Sequence, residues 1–203
     1  MRSLSEIDTI SKRASRAKGF SWGTSEEIGK SIKLLELFGF PGIRNLNEYL
    51  KNYDQNKYKK IKLISKINIS DDKFYCPISS GVSFLDQIKI LEKLNSIEFN
   101  KIGYPLLFLP FVSRASEILG RKIFIKLDEK EFTLNFNQTI FSNYSKHQIW
   151  ENANIVKISF LENNDSFNEK DWNEMTKFAN ETFVDESDEL KENSAGAGLT
   201  DND

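Results

Sequence analysis

The chain has 203 residues, 39% hydrophobic and 29% charged, which is enough for one fairly large domain or two small ones with a buried core, and is not the composition of a disordered chain. A net charge of −2 argues against a protein that holds nucleic acid by counterion release. The longest apolar stretch, Tyr104 to Val112, is too short and too proline-broken to span a bilayer, the first residues lack the apolar segment of a secretory signal, and the single cysteine, Cys76, cannot close an internal disulfide; the expectation is a cytoplasmic protein with no membrane partner and no nucleic-acid partner.

Residues 3–18 read as an amphipathic helix. Ser3 and Glu6 have capping-box spacing, Gly19 sits where a C′ glycine belongs, and Leu4, Ile7, Ile10, Ala14 and Ala17 form the expected apolar stripe. Gly19-Phe20-Ser21-Trp22-Gly23 is a tight link. Thr24 or Ser25 then caps a second helix, with Glu26 and Glu27 in its first turn and Ile28, Ile32, Leu35 and Phe38 on its buried side; Gly39 and Pro41 end it. Asn45 and Glu48 open a third, short helix. Residues 51–60 are polar and read as a surface loop.

From Ile61 the period changes. Ile61, Leu63, Ile67 and Ile69 alternate as in a strand. Cys76-Pro77 reads as a turn or strand end. Val82, Leu85, Ile88, Leu91 and Leu94 have helical spacing, and Pro110 opens another helix closed by Gly120. Residues 122–127, 131–136 and 155–160 read as strands, with Asp128-Glu129-Lys130 as a hairpin turn that leaves Ile123, Ile125 and Leu127 on one face. Trp172, Met175 and Phe178 mark a last helix. The predicted class is α+β, with N-terminal helices (about 1–58) packed on a mixed region with an antiparallel sheet, residues 1–193 as one domain and 194–203 as a Gly/Ala-rich acidic tail.

Chemistry-bearing residues concentrate in two segments. In residues 19–30, glycines flank an aromatic pair, so backbone can approach a ligand or another helix closely. Trp22 is expected to be largely buried between the first two helices. Glu27 and Lys30 lie three apart and can pair, and Glu26 or Glu27 is a candidate acid/base or metal ligand; the alternative is a tight helix–helix turn with a first turn made acidic by the helix dipole. Lys12, Arg13, Arg16 and Lys18 form a basic edge on the first helix. The second segment is the terminus, where Leu199, Thr200, Asp201, Asn202, Asp203 and the α-carboxylate follow a glycine–alanine hinge. Opposite charge and a cheap tether predict that residues 198–203 dock near Arg16 and the Trp22–Glu27 turn. Cys76 has no histidine nearby in sequence and reads as a small buried residue; a histidine-based triad would need His147, the only histidine. GxGxxG, P-loop, CxxC and HExxH patterns are absent, so no metal site and no cofactor are assigned.

Taken together, Ser15-Arg16-Ala17-Lys18-Gly19-Phe20-Ser21-Trp22-Gly23-Thr24-Ser25-Glu26-Glu27-Ile28-Gly29-Lys30 and the ending Ala195-Gly-Ala-Gly-Leu-Thr-Asp-Asn-Asp203 resemble a bacterial family, domain of unknown function 3726. Cys76-Pro77 with Gly81 and Asp86, and the stretch from Pro105 to Pro110, are similar to it too. Arg16, Trp22, Gly23, Glu26, Glu27, Gly29 and Lys30 match residue by residue. Ala17, Lys18, Ile28 and Ser194 depart from its pattern, and Lys191 is the nearest cation to the arginine expected before the tail. The resemblance implies a family and no activity. Three classes fit these residues. The first is a binding or accessory protein, with Arg16, Trp22, Gly23, Glu26, Glu27, Lys30 and the tail forming a site for a small polar metabolite or a partner protein. The second is a small enzyme using Glu26 or Glu27 with Asp201 or Asp203 as paired carboxylates. The third is a subunit of a larger complex.

Overall fold

The computed structural model describes residues 2–54, 56–135, 139–144, 149–162 and 164–182. The chain divides into two compact units, Met1–Asn163 and Asn164–Asp203. The first unit contains five α-helices among its described residues, α1 (Leu4–Ala17), α2 (Trp22–Leu37), α3 (Gly42–Lys51), α4 (Pro77–Leu91) and α5 (Leu109–Leu119), and a six-stranded mixed sheet. The strands are β1 (Ile67–Asn68), β2 (Ser96–Gly103), β3 (Ile123–Leu127), β4 (Lys130–Leu134), β5 (Ile140–Ser142) and β6 (Asn152–Phe160), in the spatial order β1-β2-β6-β3-β4-β5. Among the described strands, only β1 and β2 run parallel and the other strand pairs are antiparallel; isolated parallel bridges add Lys59 to Tyr75 and Tyr75 to Ile102. The fold is α+β.

The helix boundaries follow from local chemistry. Ser3 caps α1 by accepting the Glu6 N–H at 3.1 Å, and Gly19, at φ +92°, supplies the left-handed residue after it. Gly120, at φ +62°, ends α5 in the same way. The cap of α2 is Ser21, whose side chain accepts from the Thr24 N–H, rather than Thr24 or Ser25. That earlier start moves Glu26 and Glu27 beyond the first turn. The face of α1 that packs also differs from the expected stripe: Ser11 and Ser15 are buried while Ile10 is exposed. Small residues win there because α2 comes so close. A Cβ on Gly29 would lie 2.3 Å from Asp8 Oδ1 and 2.9 Å from the Asp8 carbonyl oxygen. Ser15 satisfies its buried hydroxyl by donating to the Ser11 carbonyl at 2.8 Å.

The sheet buries one face. In β3 and β4, Ile123, Ile125, Leu127, Phe132 and Leu134 alternate inward, and α4 and α5 pack on this side. The opposite face is laced by cross-strand ion pairs, Lys157 to Glu98 at 3.2 Å and Lys126 to Glu131 at 3.7 Å. The 123–134 hairpin forms as expected, with Asp128 at φ +49° in its turn. Asp128 also accepts from the Asn154 and Ile155 N–H groups, both at 2.9 Å, which joins the turn to β6. The strand expected over 61–69 shrinks to two residues with the opposite phase: Leu63, Ile67 and Ile69 are exposed, whereas Ile64, Asn68 and Ser70 are buried. The polar fold of that segment explains the reversal, because the Asn68 side chain is held by the Ser65 backbone and the Glu98 carbonyl, and the Ser70 N–H bonds the Asn100 side chain. The second unit contains α6 (Glu169–Asn180), capped by a reciprocal Asn168–Asp171 box, with Trp172, Met175 and Phe178 exposed. No helix among the described residues is long and apolar enough to cross a membrane.

Two glycines of α2 separate packing from propensity. Gly29→Ala is expected to cost about 1–3 kcal/mol in denaturant unfolding, because Asp8 and its backbone must move. Gly23→Ala meets nothing within 4 Å and is expected to raise stability by about 0.4–1 kcal/mol. A Gly29→Ala protein as stable as the parent contradicts the close approach.

Candidate functional site

The 19–30 segment divides its residues between two places. At its start, Arg16 reaches over the link, donating to the Phe20 carbonyl at 2.6 Å with its guanidinium 5.0 Å from the Trp22 ring centroid. Trp22 is 62% exposed, which corrects the expectation of a buried indole. Trp22 is the first residue of a helix that begins at position 22, and its ring lies on the surface under the Arg16 guanidinium of α1 while the neighbouring aromatic takes the interior. Phe20 is buried and packs on Tyr53 with ring centroids 4.7 Å apart.

Gly19, Phe20, Ser21 and Thr24 form one wall of a cavity of about 350 Å³. Tyr53 and the 60–62 loop form a second wall, and the first turns of α4, with Cys76, Ile78, Ser79, Val82 and Ser83, close it. The loop is stitched to α4: the Ser83 hydroxyl donates to the Ile61 carbonyl at 2.7 Å, and the Gln87 amide donates to the Lys62 carbonyl at 2.8 Å and accepts the Ile64 N–H at 3.1 Å. Cys76 directly follows the bridged Tyr75, as a strand end would, and is also the N-cap of α4, its Sγ accepting the Ser79 N–H at 3.4 Å with Pro77 following at the first helical position. Tyr49, fully buried, places its hydroxyl 3.1 Å from the same sulfur. The Ser79 hydroxyl oxygen is buried without a hydrogen-bond partner among the described residues.

An aromatic cluster supports this cavity. Tyr49 packs against Phe20, Tyr53, Tyr58 and Tyr104. Tyr58 comes from the stretch read as a polar loop, yet it is buried, and Gly103 is glycine because a Cβ there would lie 2.6 Å from the Tyr58 ring. Burial, reinforced by Cys76, drives the Tyr49 hydroxyl far above the ordinary phenol range, and burial with Tyr104 beside it pushes Tyr58 up to about 12.

The other place is the α2–α5 seam. Glu27 accepts from Lys30 at 3.1 Å and from the Arg114 guanidinium on α5. Glu26 is separate, paired with Lys12 at 2.7 Å, and that ammonium holds its carboxyl below the usual range. Gly23 has open space around it. The structure therefore joins Arg16 with Trp22 and Glu27 with Lys30, buries Cys76 as expected but at the wall of the cavity, and adds Tyr49 and Arg114, which sequence reasoning did not select. Arg114 had a signal, a lone cation amid Phe111, Val112 and Ala115; Cys76 was read as a small buried residue, and Tyr49 had no signal. Leu199, Thr200, Asp201, Asn202, Asp203 and His147 lie outside the described residues. Among the described residues, no group of three or more His, Cys, Asp or Glu could hold a metal ion.

Trp22→Ala is expected to lower unfolding stability by no more than about 1 kcal/mol, the size of an exposed cation–π contact; a loss of several kcal/mol contradicts the exposed placement. A second outcome concerns alkaline pH. Tyr58 is raised from 10.0 to about 12, so its contribution is fully present below pH 10.0 and is lost as pH climbs through about 12. Stability followed together with tyrosinate absorbance is expected to fall in that window, with Tyr58→Phe narrowing the fall.

No curated protein and no solved structure matches the sequence. Residues 2–73, which hold α1, α2, α3 and β1, match the model of the family described as "Protein of unknown function (DUF3726)".

Proposed function

We propose that the chain is a small-molecule-binding protein whose ligand occupies the cavity between the 19–24 link and the first turns of α4. The observation that carries this reading is convergence. Residues of the glycine-flanked link, a tyrosine after α3, the 60–62 loop and the start of α4 all wall one cavity of about 350 Å³. A volume in the ~300–1,000 Å³ range, mostly apolar walls and a few converging polar groups are the usual make-up of a ligand site. Phe20, Tyr53, Ile78 and Val82 offer the apolar surface. The Ser21 and Thr24 hydroxyls offer the polar contacts, and the exposed Lys60 and Lys62 suit a ligand with an acidic end. The ligand class is a small polar metabolite with an apolar body.

Acid/base or divalent-cation chemistry by Glu26 or Glu27 with Asp201 or Asp203 is the weaker reading. Glu26 is already paired with Lys12, and Glu27 with Lys30 and Arg114, so both carboxylates are engaged by cations of the chain itself.

Val82→Trp tests the proposal by filling the cavity from a half-buried wall position. Small molecules retained by the native protein, or fragments that shift the Phe20, Thr24 and Ser79 amides, are expected to lose binding at least tenfold in this variant, which still unfolds cooperatively at a cost of about 1–3 kcal/mol. Fragments that bind the variant as well as the parent, or none that shift those amides, contradict it.

A further inference from the structure

The charged groove between α2 and α5 is the second feature of the 19–30 segment, and it does not touch the cavity above. We propose that this groove, lined by Lys30, Lys33, Leu34, Leu37 and Arg114, binds a short-chain organic acid. Three cationic groups meet there. Glu27 is shared between Lys30 and Arg114, and Glu117 lies close enough to Arg114 to act on its charge. Lys33 has no acidic partner among the described residues, so the groove carries one positive charge in excess. The Arg114 side chain is only 24% exposed, so an anion meeting it is partly shielded from water, where a charge-assisted contact is stronger than on open surface.

The apolar half selects the body of the ligand. Leu34 lies beneath the charges, and Leu37, at the end of α2, is 55% exposed and lines the same groove. An inorganic anion would leave Leu37 bare, and an uncharged chain would leave the excess cation unmatched. The volume, about 220 Å³, falls below the ~300–1,000 Å³ of drug-sized sites, which suits a short acid and not a nucleotide. The carboxylate meets Lys33 and the Arg114 fork, and the chain lies along Leu34 and Leu37.

Titration of hexanoate, acetate and hexanol into the isotopically labelled full-length protein tests this site. Hexanoate is expected to shift the Leu34 and Leu37 methyl signals saturably, at least fivefold more tightly than acetate or hexanol, and to weaken as salt is raised. Lys33→Glu, at an exposed position, is expected to fold as the parent and bind hexanoate at least tenfold more weakly, whereas Val82→Trp is expected to bind it unchanged. Equal binding of hexanol, unchanged binding by Lys33→Glu, absence of saturable shifts, or loss of binding in Val82→Trp each overturns the assignment; the last would place the acid in the α4 cavity instead.

Discussion

Tyr49 is the side chain on which this architecture turns. It belongs to α3, is fully buried, and packs against four other rings: Phe20 in the α1–α2 link, Tyr53 and Tyr58 in the loop after α3, and Tyr104 just after β2, while its hydroxyl meets the Cys76 sulfur at the head of α4. A buried phenol is costly unless its hydroxyl finds a partner, and here the partner is also the cap of a helix. One contact therefore couples ring packing of the N-terminal helices to the start of α4. The proposed ligand cavity is the space left beside this junction, walled by Phe20, Tyr53 and Cys76, three residues that Tyr49 holds in place.

The sheet adds a constraint of a different kind. Its central strand β6 is the last in sequence, inserted between β2 and β3. Residues 96–103 and 123–127 both pair with a strand that follows them in sequence, so the two halves of the sheet are joined through contacts distant along the chain. Asp128, in the β3–β4 turn, secures that insertion by accepting two β6 N–H groups.

Elements set by local signals were legible in the sequence. Ser3 and Gly19 bracket α1, Gly120 closes α5, and the alternation of Ile123, Ile125 and Leu127 places the hairpin face correctly. What escaped was set by neighbours. Ser11 and Ser15 are buried only because Gly29 admits α1 so closely, and no periodicity of apolar residues reports that. The 61–69 alternation had strand spacing, but side-chain bonds from Asn68 and Asn100 fixed the opposite phase. β2 and β5 were not read at all: polar residues interrupt the apolar pattern of β2, and β5 has only three residues. For the candidate site, the glycine-flanked link does line a cavity, yet the inward aromatic is Phe20 and not Trp22, because the position of the Ser21 cap decides which residue faces in. Glu27 and Lys30 did pair, and their third partner, Arg114, is 87 residues away in sequence from Glu27.

Amide hydrogen exchange on Tyr49→Leu tests this arrangement most directly. The Phe20, Lys59, Cys76 and Ser80 N–H groups each have a backbone partner near the junction, at 3.3, 2.9, 2.9 and 3.0 Å. If Tyr49 organises the cavity, these four amides lose protection together while the β3 and β6 amides keep theirs. Loss confined to α3, or a uniform loss across the sheet, would contradict the central role assigned to Tyr49.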